Sequence, residues 1–147
     1  MDVQIRTLET QATMMVHKVI PYDKLGEAFM EAMPKVGAYA GGVAVGPPFG
    51  RYPSFSPEQV DVEIGIPVAA AMEPSDDIEP GEIPGGRYAV AVHVGAYDTL
   101  PQTYDALYAW VRENGHTDNG APFESYIDDP QTKPMDEVRT EVCIPIA

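Results

Sequence analysis

The chain repeats itself, and the repeat limits what it can fold into. Val19-x-x-Tyr22-Asp23-x-Leu25 returns as Val94-x-x-Tyr97-Asp98-x-Leu100. Gly46-Pro47-Pro48-Phe49-Gly50-Arg51-Tyr52 returns as Gly120-Ala121-Pro122-Phe123-Glu124-Ser125-Tyr126. The run from Val60 to Val68, with Glu63 and Ile66-Pro67-Val68, returns from Val138 to Ile146, with Glu141 and Ile144-Pro145-Ile146. The three blocks keep their order and a nearly constant offset, so a duplicated half-domain explains them better than chance. The expected organisation is one domain, 1–147, built from repeats 1–70 and 85–147. An acidic Pro- and Gly-rich connector, 71–86, joins them and is read as a solvated loop.

Each half reads as strand, helix, strand, strand. Tyr88, Val90, Val92 and Val94 alternate with Arg87, Ala89, Ala91 and His93 in the period of a half-buried strand. Leu100, Tyr104, Leu107, Tyr108 and Val111 then make one apolar stripe at helical spacing, preceded by Asp98 or Thr99 as N-cap and closed by Asn114-Gly115. The first half carries the same stripe in Leu25, Phe29, Ala32, Met33 and Val36, with Asp23 as N-cap and Pro34 ending or kinking the helix. Short strands with one helix per half predict an α+β fold, an antiparallel sheet with both helices on one face and approximate internal two-fold symmetry.

Charge narrows the function. Among 147 residues there are 9 Lys+Arg against 23 Asp+Glu, a formal net charge of −14. Nucleic-acid affinity comes from clustered cations, so direct nucleic-acid binding is not expected, and cationic or neutral partners are favoured. The single cysteine, Cys143, can form no internal disulfide, and the three histidines show no metal spacing. No cofactor and no metal are expected. Neither a signal-type segment nor an apolar run of membrane length is present, so the expected location is the cytoplasm, with no membrane partner.

Strand parity selects candidate site residues. In the last strand Thr140, Val142, Ile144 and Ile146 should meet the helices, which turns Glu141 the other way, and Glu63 is its repeat twin. Tyr126 is expected to share that helix-free face with Glu141, and Tyr52 with Glu63. A face holding these residues and His93 combines aromatic surface with carboxylates, a combination that suits lipophilic cations. Trp110 lies off the helix stripe and is a weaker aromatic candidate. His17 is expected on the apolar face as a core histidine.

The blocks Pro122-Phe123-x-x-Tyr126, Tyr126-Ile127-Asp128-Asp129-Pro130 and Thr140-Glu141-Val142-Cys143-Ile144-Pro145-Ile146 resemble the gyrase-inhibitor-like small-molecule-binding domain family. That domain also forms the effector-binding half of bacterial multidrug-responsive transcription activators. The resemblance covers nearly the whole chain. It implies eight antiparallel strands with two helices and a concave pocket on the sheet for bulky, often cationic compounds. Carried over by position, Glu141 resembles the pocket carboxylate and Tyr126 a pocket aromatic, followed by Tyr52 and Trp110.

The repeat begins by about residue 14 and runs to residue 146, so the expectation is a stand-alone binder of amphipathic, cationic aromatic molecules, acting in effector sensing or in sequestration of a toxin or drug. Some relatives in this family open strained cyclopropane rings. The enzymatic alternative is therefore a hydrolase in which Glu141 activates water and Tyr126 protonates the leaving group. A third reading is a protein-interaction module that inhibits DNA gyrase, with gyrase or a regulator as the protein partner.

Overall fold

A computed structural model describes residues 1–147. The fold is α+β, an eight-stranded antiparallel sheet with two helices. By contact it divides into a middle unit, Thr10–Pro84, and a terminal unit made of Met1–Glu9 and Gly85–Ala147.

The middle unit holds β2 (Gln11–Pro21), α1 (Leu25–Ala40), β3 (Phe49–Phe55), β4 (Gln59–Pro67) and β5 (Ile78–Ile83), with strand order β3-β4-β2-β5. Ala28, Ala32, Val36 and Ala40, each four residues apart, are the buried stripe of α1. Three of the four are alanines, so the helix can approach the sheet closely. They meet Met14 and Val16 of β2 and Val60, Val62, Ile64 and Ile66 of β4, while Leu25, Phe29 and Met33 cover the margin. Pro34 does not end α1, which runs six residues further. Its missing amide falls opposite Met30, 81% exposed, where water can take the freed carbonyl. Gly41, at φ 52°, closes the helix.

The terminal unit holds β1 (Val3–Leu8), β6 (Gly86–Val94), α2 (Leu100–Glu113), β7 (Phe123–Tyr126) and β8 (Arg139–Ile146), ordered β1-β6-β8-β7. Leu100, Leu107 and Val111 of α2 are buried on Ala89 and Ala91 of β6 and on Val142, Ile144 and Ile146 of β8. Tyr104, Tyr108 and Trp110 pack at the edge of this core. Pro101 sits in the first turn, and Gly115, at φ 78°, follows the C-cap Asn114.

The two units share a register. His93 faces Thr140, Glu124 faces Val142 and Ser125 faces Glu141 in the terminal unit. Lys18 faces Val62, Gly50 faces Ile64 and Arg51 faces Glu63 in the middle unit.

Three local expectations are corrected. The connector contains β5, which pairs with β2 from Gln11↔Ile83 to Val16↔Ile78 and buries Ile78 and Ile83. Two apolar anchors suffice there because β5 stands at the end of the strand order, and an end strand tolerates Pro80 and Gly81. His17 is not a core residue: it shares a face with Glu63, is exposed, and lies 2.5 Å from Asp61 Oδ1. Neither helix has a side-chain N-cap, because a 3-10 turn precedes each and supplies helical backbone at Lys24 and Thr99.

Candidate functional site

Antiparallel partners point to the same side of a sheet. Glu124 is opposite Val142 and Tyr126 is opposite Thr140, so both lie on the α2 side of the terminal unit. Glu141 is opposite Ser125, on the other side. The expectation that Tyr126 and Glu141 share the helix-free face is therefore wrong. Alternation sets Glu124 and Tyr126 on one face of β7, but parity alone does not say which face of so short a strand meets a helix. His93, opposite Thr140, also lies on the α2 side.

The group that collects on that side is centred on Glu124, which is 5% exposed. The Tyr104 hydroxyl, from α2, donates to its Oε2 at 2.7 Å, and the Tyr126 hydroxyl donates to its Oε1 at 2.8 Å. Tyr97 sets its ring edge-on to Tyr126 with centroids 5.9 Å apart. Burial raises the Glu124 carboxyl above the ordinary glutamate range, against the opposing pull of the two phenols and of His93. The Tyr97 hydroxyl is also raised, by burial first and then by Asp129, Glu124 and Asp128. No lysine or arginine forms an ion pair with Glu124.

Neighbouring polar groups hold this arrangement in place. The His93 Nε2–H donates to the Ala96 carbonyl at 2.9 Å, and Nδ1 meets the Thr103 hydroxyl at 2.7 Å. The imidazole thus ties β6 to Thr103 in the first turn of α2, immediately before Tyr104. After β7, Asp128 accepts from the Arg139 amide at 3.0 Å, from Arg139 Nε at 2.8 Å and from Lys133 Nζ at 3.3 Å. These bonds fix the loop that leaves Tyr126, and Arg139 holds the Asp128 carboxyl well below its usual range.

The other candidates lie elsewhere. Glu141 pairs with Arg6 at 3.0 Å and Glu63 with Arg51 at 3.1 Å, each on the side of its unit away from the helix. Both carboxylates already have a cation. Tyr52 packs against the core of the middle unit, and Trp110, near the end of α2, stacks on His116 at 5.9 Å. Neither belongs to the Glu124 group.

Glu124, Tyr104 and Tyr97 were not among the candidates, although the repeat contains a signal for two of them. Glu124 matches Gly50, and Tyr104 matches Phe29. The same βαββ plan folds in the middle unit without a carboxylate or a phenol at these places, so the fold itself does not require them.

A family model for the GyrI-like small molecule binding domain matches residues 1–147. The chain belongs to the GyrI-like family. No curated protein matches it in sequence. Among solved structures, the EcmrR C-terminal domain superposes with a TM-score of 0.85 at 21% identity, over 99% of this chain and 97% of that one. EcmrR in its DNA complex gives 0.83 at 22% identity over 99% of this chain, which spans 57% of the EcmrR chain. SAV2435, solved with tetraphenylphosphonium bound, gives 0.73 at 13% identity over 100% and 94% of the two chains. At these identities the likeness establishes the fold alone: eight antiparallel strands and two helices. No helix in the chain is long and apolar enough to cross a membrane.

Proposed function

We propose that this GyrI-like domain binds amphipathic aromatic cations at the Glu124 group of its terminal unit. The observation that carries the reading is a buried carboxylate with no cationic partner, held by two phenols. Burying an ionised carboxylate unpaired is costly, and a structural role is better served by an arginine, which Glu141 and Glu63 both have. A ligand that brings its own positive charge completes the site. Tyr97, Tyr104 and Tyr126 add ring faces, which attract such a cation, and ring edges, which pack against its aromatic substituents. The net charge of −14 draws cations toward the domain. SAV2435, a neighbour in fold, holds a tetraphenylphosphonium cation, which supports this class of ligand.

Calorimetric titration of tetraphenylphosphonium into the wild-type protein and into Glu124→Gln tests the assignment. Removing the charge from a desolvated pair should weaken binding by about tenfold or more, equivalent to at least ~1.4 kcal/mol. Equal affinities would reject Glu124 as the countercharge. Selective stabilisation of the wild-type protein by the cation in a thermal melt provides a second readout.

A further inference from the structure

One buried polar atom beside the Glu124 group has no partner. Thr140 is 0% exposed, and its hydroxyl oxygen makes no hydrogen bond. It sits in a row across three strands, between His93 on β6 and Tyr126 on β7, all on the α2 side. Neither neighbour provides it with a bond. The two His93 nitrogens engage the Ala96 carbonyl and the Thr103 hydroxyl, and Tyr126 spends its one hydroxyl proton on Glu124. Buried hydroxyls are almost always paired, and an unpaired one calls for an explanation.

The middle unit excludes the explanation that the fold needs a threonine here. The position matching Thr140 is Val62, which faces Lys18 in the same register and is fully buried in the core. Valine has the shape of threonine without the hydroxyl. In the terminal unit Glu124, Tyr104 and Thr140 stand where the middle unit has Gly50, Phe29 and Val62, so three hydrogen-bonding side chains occur together where the other copy has none.

We infer that Thr140 is a specificity-determining residue of this site and that its hydroxyl accepts a hydrogen bond from an N–H of the bound cation. The inference rests on the Glu124 reading and deepens it. The preferred ligand is a protonated amine or amidine on an aromatic body, with one N–H directed at Glu124 and a second at Thr140. A quaternary onium ion can satisfy the carboxylate by charge but brings no donor, so it leaves Thr140 unpaired. Such a site favours the N–H cation, because an unmet buried hydrogen-bonding group penalises the ligand that lacks its counterpart.

The test uses a matched pair, (naphthalen-1-ylmethyl)ammonium and its N,N,N-trimethyl analogue, titrated calorimetrically into the wild-type protein, Thr140→Val, Thr140→Ser and Glu124→Gln. The expected result is a wild-type preference of roughly tenfold for the N–H cation, lost in Thr140→Val through weaker binding of that cation alone and kept in Thr140→Ser. Thr140→Val should melt no lower than wild type, since it removes an unpaired hydroxyl and keeps the volume. A wild-type protein that does not discriminate, or a Thr140→Val change that weakens both cations equally or neither, overturns the inference. If Glu124→Gln still weakens both, the carboxylate reading survives that failure, and if it weakens neither, that reading fails as well. Should the wild-type protein bind tetraphenylphosphonium through Glu124 but neither naphthyl cation, only the N–H preference is overturned.

Discussion

The Tyr104 hydroxyl, in the second turn of α2, donates a 2.7 Å hydrogen bond to Glu124 Oε2 on β7, so that a helix and a strand share one buried carboxylate. Burial nevertheless outweighs this bond and raises the Glu124 pKa above its ordinary 4.5. The folded state therefore holds the proton more tightly than the unfolded state does. The stability from this group is fully present below the ordinary glutamate value and is lost as pH rises through the raised one. Urea unfolding of wild type and Glu124→Gln between about pH 4 and about pH 8 should show the wild type losing ground to the variant by ~1.4 kcal/mol for each unit by which the pKa is raised. A difference that is flat with pH would contradict a buried, titrating Glu124.

Tyr104→Phe isolates the phenol. Phenylalanine fits this place in the fold, since Phe29 occupies the matching position on α1 and packs against its core. The variant should fold, with a penalty of about 1–3 kcal/mol where Glu124 is ionised and a smaller one in acid, because the phenol stabilises the charged form. Chemical denaturation at two pH values measures both. An equal penalty at both would mean that Tyr104 contributes packing and not its hydrogen bond.

The helices and the buried face of β8 were legible because their periodicities are long enough to be unambiguous: Leu100, Leu107 and Val111 are buried as the stripe requires, against Val142, Ile144 and Ile146. On β6 the alternation misleads, because the small residues Ala89 and Ala91 meet α2 while Val92 and Val94 are exposed. β7 was not legible to the same depth. Four residues alternate perfectly well on either side of a sheet, and only the pairing of Tyr126 with Thr140 decides between them. β5 was hidden for a related reason, since Glu79, Pro80, Gly81 and Glu82 read as a loop and the strand depends on β2 to hold it. Glu141 drew attention as a strand carboxylate, but Arg6, far away in sequence, neutralises it. Long-range pairing of this kind leaves no local trace. The contrast between Glu124 and Gly50 does leave one, and it becomes meaningful once the two copies are compared position by position.

Arg6 and Glu141 give a control for the site. Their side chains are 39% and 22% exposed, so the pair is partly screened by water and contributes ~1 kcal/mol or less. Glu141→Gln should cost no more than that in a denaturant titration and should leave affinity for tetraphenylphosphonium within about twofold, near the limit of what a partly exposed pair can alter. A large loss of cation affinity in Glu141→Gln would move the countercharge back to the helix-free face and reject the Glu124 assignment.

Two glycines separate crowding from chain flexibility. Gly65 lies in β4 between Met15 on β2 and Phe49 on β3. A Cβ there would press on the Met14 carbonyl oxygen, stand 2.7 Å from Met15 Cβ and 3.0 Å from Phe49 Cζ. Two of these contacts involve backbone or a Cβ, which move only if the strands separate. Gly65→Ala should therefore destabilise the protein by about 1–3 kcal/mol or more, as overpacking does. Gly26, in the first turn of α1, would meet nothing within 4 Å. Gly26→Ala should stabilise by roughly 0.5–1 kcal/mol, because alanine loses less backbone entropy on entering a helix. The two variants compared in one urea series should shift the midpoint in opposite directions. A shift in the same direction would show that strand β4 can yield at Gly65, or that the start of α1 does not tolerate a side chain at Gly26.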